Sequence, residues 1–358
     1  MLAPVDTLKR PLRFQSTLSS GLLPQFSTMS DTTETILFET SPFGTLDGIV
    51  EHDGRVVYFY LNERARDTED ESRFGTRACW VRNLERGPMV LSKADMADGK
   101  APMLPRNDCV DSNLDRIPQP DSLEIVWFEE GNGAALVETD PETRTPKTIA
   151  VIPPWSGVDG FHGYASNCAH ETPLAWPMPE NPSLHLRITK AAEFWKSFTT
   201  DESPFVTLQP QLVEAYDRHF GKENQNQYYA IDGGKFPPRG LIRFESESET
   251  TLLTVGMSLC AQPAVELFVD HPAQHRRIEI GIRVPHLDGA ADPLRIESVM
   301  RSISSFAAYP WNNWTWLGSG HTVGWSDAES GKATLRQDDT IKLPSFRGDP
   351  VSLLWIEA

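Results

Sequence analysis

Residues 240–284 read GLIRFESESETTLLTVGMSLCAQPAVELFVDHPAQHRRIEIGIRV. Gly240 to Phe244, Thr250 to Met257 and Arg277 to Val284 are short runs rich in Ile, Leu, Val and Thr, bounded by polar residues, glycine or proline, and each predicts a strand. Val265 to Val269 is read the same way. Downstream, Asp292 followed by Pro293 predicts a helix over about 293–308. Aspartate there accepts the first orphan amide hydrogens, and proline loses nothing at the first helical position. Pro310 is expected to stop it, with short strands following at His321 to Trp325, Thr340 to Leu343 and Val351 to Ile356. Upstream, Ala191, Ala192, Phe194, Trp195 and Phe198 share one face of a helix over Thr189 to Phe198, and a second helix spans Pro210 to Phe220 with Gly221 as its cap. Strands mixed irregularly with a few helices, without βαβ alternation, predict an α+β fold of mixed and antiparallel sheets with a few packing helices, in two α/β subdomains.

The first half reads as strands and loops. Asp53-Gly54 stands between two apolar runs inside Ile36 to Leu61, a hairpin signal resting on the positive φ that such a turn needs. Residues 62–73 are polar and predict an exposed loop. Ala78 to Val81 predicts a strand, and 88–120 a long irregular connection. Leu123 to Glu130 and Ala134 to Glu138 flank Gly131-Asn132-Gly133 as a second hairpin, and Thr148 to Ile152 adds a strand. Leu136 stands where a dinucleotide loop needs its third glycine, so the glycines belong to a turn. A chain of 358 residues holds two domains of ordinary size. They are expected at 31–180, a β-rich N-terminal domain, and 181–358. Residues 1–30, rich in Ser and Thr with Lys9, Arg10 and Arg13, read as a disordered tail or a mis-annotated start ahead of Met29.

Fifty acidic against 33 basic side chains leave a net charge of −17. Such a field repels phosphate backbones and anionic lipid, so nucleic acid and membrane are excluded as expected partners. No apolar run reaches the length of a membrane helix. Cys79, Cys109, Cys168 and Cys260 are widely spaced, without a C-x-x-C pair, which reads as buried thiols in a cytoplasmic protein.

Each chemical motif has a plainer account beside it. His271-Pro272-Ala273-Gln274-His275 has the spacing of a helical metal pair, but Pro272 turns His271 away from helix and no glutamate stands where a zinc peptidase places its base. His162, Cys168 and His170, with Glu171, are weak candidate metal ligands whose spacing matches no known finger. Gly318-Ser319-Gly320-His321 lacks the glycine spacing of a nucleophile elbow, since the required positions are Leu317 and His321. No acid and base pair stands out, and no cofactor is implied. The stretch between Arg301 and Asp327 has no charged residue, yet holds Trp311, Trp314, Trp316 and Trp325, of ten tryptophans in all. Trp325 reads as core. Trp311, Trp314 and Trp316 sit among Pro310, Asn312, Asn313 and Thr315, a loop composition that tends to the surface, and with His321, Trp155 and Tyr164 they are the candidate partner-binding residues.

The order of elements after residue 205 resembles the Suppressor of fused domain. A helix ends at Gly221 and the strand Leu241 to Phe244 follows. Then come Thr254-Val255-Gly256-Met257-Ser258, matching a T-x-G-M-S turn, and Arg277-Ile278-Glu279-Ile280. Next are helix 293–308, Gly320-His321-Thr322-Val323, and Gly348 to Trp355. Thr254, Gly256, Met257, Ser258, Arg277 and Glu279 carry this family motif, read as structural. Similar proteins run on past the last strand, so a chain stopping at Ala358 is expected either to leave a sheet edge incomplete or to lack a regulatory segment. The resemblance implies a non-enzymatic protein-binding module of the bacterial type. Eukaryotic relatives are regulators that sequester a transcription factor in Hedgehog signalling, and bacterial ones are regarded as immunity proteins that neutralise toxins. The acid surplus fits a basic protein partner. The alternatives carried forward are a metal-assisted hydrolase and a small-ligand-binding protein using the tryptophan loop.

Overall fold

The Asp53-Gly54 hairpin forms with one division of labour inside its turn. Gly54 takes the positive φ of 83°, while the Asp53 carboxylate accepts from the amides of Arg55 at 2.9 Å and Val56 at 3.1 Å. The computed structural model describes residues 33–64, 75–111, 116–198, 203–231, 236–287, 289–326, 328 and 330–358, the Asn226 side chain apart. The expected tail at 1–30 and most of the expected polar loop at 62–73 lie outside the described residues. The chain divides into two compact units between Phe194 and Trp195.

In the first unit, β1 (Glu34–Thr40), β2 (Leu46–His52), β3 (Val56–Glu63) and β4 (Thr76–Asn83) form an antiparallel sheet in sequence order. A second sheet carries β5 (Leu123–Trp127), β6 (Ala134–Thr139), β7 (Pro146–Ile152) and the two-residue strands β8 (Tyr164–Ala165) and β9 (Trp176–Pro177), again in order. The sheets meet where Gly48 leaves room. A Cβ there would stand 2.8 Å from Ile125 and 3.1 Å from the Trp127 ring, nearer than side chains tolerate. Among the described residues the connection between them is irregular, as expected, apart from two 3-10 turns at Arg106–Asp108 and Pro120–Ser122 and the short helix α1 (Lys93–Ala97), which Ser92 caps by accepting from the Asp95 amide.

Helix α2 (Pro182–Ser197) starts seven residues earlier than its apolar spacing predicts. Pro182 is tolerable only in a first turn, and Asn181 Oδ1 accepts from the Ser183 amide at 2.8 Å to close that turn. Leu184, Ile188 and Ala191, spaced i, i+4 and i+7, pack on Val126, Phe128, Ala135, Val137 and Val151. Arg187 joins Glu130 at 2.6 Å above the same sheet.

The second unit is built on a seven-stranded mixed sheet. Its strands are β10 (Gln225–Ala230), β11 (Gly240–Glu245), β12 (Glu249–Val255), β13 (Arg277–Pro285), β14 (Thr322–Gly324), β15 (Lys332–Asp338) and β16 (Val351–Glu357). They lie in the order β10-β11-β12-β13-β16-β15-β14, all neighbours antiparallel except β13 with β16. Its helices are α3 (Pro204–Phe220), α4 (Pro293–Phe306) and α5 (Tyr309–Asn313). The architecture is α+β. Asp292 caps α4 at the Leu294 and Arg295 amides, as its sequence requires.

Several expected elements change. Helix α3 begins six residues before Pro210 and runs through it. The helical partner lost at Pro210 belongs to the carbonyl of Val206, a residue on the open side of the helix at 61% exposure. In place of the strand expected over Val265 to Val269 there is a tight 3-10 turn at Val265–Leu267, entered through Ala264 at φ 63°. Thr340 to Leu343 is no strand, because Asp338 accepts from the Thr340 and Ile341 amides and bends the chain there. Pro310 lies inside a short helix rather than ending one. Most consequential is β16. It lies between β13 and β15, inside the sheet and not at its margin, and among the described residues the edge strands are β10 and β14.

The parallel pairing at the sheet's centre is close. Gly281 is paired with Leu253 on one side and Trp355 on the other, and a Cβ on it would come within 2.8 Å of Leu253 and 2.6 Å of the Trp355 ring. Gly281→Ala is therefore expected to lower the stability of this unit by about 1–3 kcal/mol through overpacking. The check is the urea midpoint at unchanged m-value.

Candidate functional site

Glu279 and Arg277 stand two residues apart on β13, so both side chains point to one face of the strand. That face meets the turn leaving β12. Gly256 enters the turn at φ 105°, with Phe205 and the Pro238 carbonyl within 2.8 Å of where a Cβ would be. No other residue fits. Glu279, wholly buried, accepts from the amides of Gly256 at 3.0 Å, Met257 at 3.3 Å and Ser258 at 3.0 Å. It also accepts from the hydroxyls of Thr254 at 2.7 Å and Ser258 at 2.6 Å. Arg277 holds the other end of the turn, donating to the carbonyls of Ser258 at 2.9 Å and Leu259 at 3.0 Å. Its Nε lies 3.3 Å from Asp349, and its guanidinium 5.0 Å from the Phe346 ring centre. Thr254 completes the set. Its hydroxyl accepts from the Ile280 amide at 2.7 Å and its carbonyl from Tyr216 at 3.1 Å.

Burial pushes the Glu279 carboxyl up, and the hydroxyl and amide donors pull it back. Five hydrogens aimed at two oxygens are satisfied only by the carboxylate. With every acceptor site occupied and the group sealed from solvent, the cluster cannot exchange a proton with a substrate. It is a brace.

The brace is followed by residues that carry the tryptophan segment. Ala261 accepts from Trp311 Nε1 at 2.9 Å. Gln262, also wholly buried, accepts from the Leu317 amide at 2.9 Å and donates to the carbonyls of His275 at 2.8 Å and Leu317 at 3.1 Å. One amide side chain therefore ties two loops together. Between them, Trp316 stands half-buried with the His321 ring 4.5 Å and the His275 ring 5.6 Å from its own, both edge-on. Trp314, half-buried, turns the chain at φ 46°.

The tryptophans expected together at the surface thus separate. Trp311 is 3% exposed and belongs to the interior, because α5 rolls it under the segment. Trp314, Trp316 and His321 remain partly open. Two side chains absent from the expected set lie on the turn leading to His275: Leu267, 43% exposed, and Phe268, 67% exposed. Their apolar run resembled a core strand, which hid them. Gln262 carried a signal in sequence, as a lone amide in the apolar run Leu259 to Ala264.

Trp155 and Tyr164 lie in the other unit. Trp155 is half-buried, 5.8 Å from the Arg187 guanidinium, and Tyr164 packs against Phe161 at 4.8 Å and beside the α2 cluster. The weak metal candidates do not converge. Cys168 is buried and donates to the His170 carbonyl at 2.9 Å, while the His162 and His170 side chains are exposed. Among the described residues, no three metal-binding side chains come together. His271 leads a 3-10 turn at Pro272–Gln274, which breaks the helical spacing with His275. Ser319 accepts from the Gln337 amide at 3.2 Å and serves a turn.

Residues 237–356 match the family model of the Suppressor of fused protein. Over those residues the chain carries a Suppressor of fused-like domain. The matched region contains Gly256, Gln262, Arg277, Glu279, the tryptophan segment and all but the last residue of β16, so the brace and the surface it carries belong to the Suppressor of fused-like domain, a protein-interaction module. No curated protein matches the chain. Among the described residues, no helix is long and apolar enough to cross a membrane.

Because the Glu279 brace is saturated with donors, an isosteric amide in its place sets two N–H groups against other hydrogens. Glu279→Gln is expected to destabilise the unit by about 3–5 kcal/mol, the usual cost of breaking a buried charged network. Chemical denaturation followed by tryptophan fluorescence measures it.

Proposed function

We propose that this chain binds and neutralises a basic protein partner, as an immunity or sequestering protein of the bacterial type, through the surface around Trp316. The observation carrying this reading is the match to the Suppressor of fused family over the residues that build that surface. Two features support it. The net charge of −17 and pI near 5.0 favour encounter with a cationic partner and repel polyanions. Trp316 and His321 offer aromatic area beside a backbone that Gln262 already ties at Leu317 and His275, so little ordering is needed on docking. A cytoplasmic location accords with the wide sequence spacing of the four cysteines and with an intracellular toxin or regulator as the partner.

The test is a partner recovered by cross-linking in the native cell, purified and titrated against variants. Trp316→Ala should weaken binding at least about 30-fold, the cost of a 2 kcal/mol anchor, with the unfolding midpoint unchanged. Trp311→Ala should instead lower stability by about 3–5 kcal/mol, as loss of an interior aromatic does. Association should slow as salt rises. Equal affinity for wild type and Trp316→Ala would overturn the assigned surface, and turnover of a small molecule by a chain with no partner would overturn the function.

A further inference from the structure

The first unit holds a cysteine pair that spacing does not reveal. Cys109, within the irregular connection, faces Cys168 across an isolated antiparallel bridge. The bridge is made by the Val110 amide donating to the Asn167 carbonyl at 2.8 Å and the Ala169 amide donating to the Asp108 carbonyl at 2.7 Å. Because these bonds flank the two cysteines instead of joining them, the pair occupies the narrow, non-hydrogen-bonded position of an antiparallel ladder. Paired Cα atoms there stand about 4.5 Å apart with side chains on one face, inside the roughly 4.4–6.8 Å span of disulfides. The register is held a second time by Asn167, whose side chain accepts from the Asp111 amide at 2.8 Å and donates to its carbonyl at 3.0 Å. Asn83 holds the strand-side approach, donating to the Leu104 carbonyl at 2.8 Å and to Cys109 Sγ at 3.7 Å.

We infer that Cys109 and Cys168 are a site of oxidative cross-linking, at which a small-molecule disulfide converts two thiols into a bond that closes the irregular connection onto the second sheet. The two sulfurs differ in access, and this sets the order of events. Cys109 is half-buried, whereas Cys168 is 2% exposed and Cys79 and Cys260 are fully buried. The Cys109 thiolate attacks one sulfur of the oxidant and releases its other half as a thiolate. The Cys168 thiolate then attacks Cys109 Sγ, forms the protein bond and releases the second half. The protons of both cysteines pass to the released thiolates. One disulfide is reduced and one is made. Burial, with the neighbouring Cys168, Asp108 and Asp111, pushes the Cys109 thiol up to about 11. The first step therefore runs through a small thiolate fraction and quickens by about tenfold per pH unit across the neutral range.

Oxidised glutathione added to the native full chain tests this. The accessible-plus-buried thiol count, read after denaturation in acid, should fall from four to two. The mass should drop by two hydrogens, and a peptide joining Cys109 to Cys168 should appear after digestion. Cys109→Ser, checked for wild-type circular dichroism, should lose no thiol. Retention of all four thiols overturns the inference. So does a cross-link through Cys79 or Cys260, or glutathione left attached to Cys109 without a second step. Mapping the wild-type peptides decides the matter even where the variant fails to fold.

Discussion

The second unit depends on a turn held at both ends by opposite charges from one strand. Glu279 takes the amide hydrogens of Gly256, Met257 and Ser258, and Arg277 takes the carbonyls of Ser258 and Leu259. A buried turn has backbone groups that no sheet ladder can satisfy, and leaving them unpaired costs more than any single contact returns. The two side chains supply that satisfaction from β13 itself, so the turn between β12 and β13 is fixed to the strand that follows it. Neither ion stands alone. Asp349 neutralises Arg277, and the donors around Glu279 replace the water it has lost.

That brace reaches the surface through the chain that leaves it. Ala261 and Gln262 come directly after the braced residues, and from there Trp311 is drawn inward while the Leu317 and His275 backbones are held side by side. Trp316 is partly open between two histidine rings because its neighbours are tied beneath it. A rigid backbone under a half-exposed aromatic side chain is what a docking surface requires, since ordering costs are then met during folding. Asp349, which pairs with Arg277, also leads into β16, and β16 lies against β13 in parallel. The same charged cluster thus secures the crossover that places the last strand in the sheet's interior.

The first unit solves a similar problem mainly with neutral side chains. Its long connection has no ladder of its own, and asparagine amides serve it instead, Asn83 at Leu104 and Asn167 at Asp111. An amide side chain offers a donor and an acceptor together, which matches one peptide unit. The cysteine pair lies between these two anchors.

Local chemistry alone determined much of this protein. The two glycine-centred hairpins, the Asp292 cap, the core strands β11, β12 and β13, the α+β class and the acid surplus follow from residue types and near neighbours. The turn motif and the Arg277 and Glu279 pair were legible as short signatures in the right order. Tertiary structure decided what depends on distant partners. Helix α2 starts at Pro182 because Asn181 and the second sheet support it, Val265 to Val269 turns rather than extends, and Trp311 is interior while Trp316 is not. An apolar run states that burial is favourable but not which partner supplies it. For that reason the strand order around β16, the joining of two loops by Gln262 and the pairing of Cys109 with Cys168 became visible only once the chain had closed on itself.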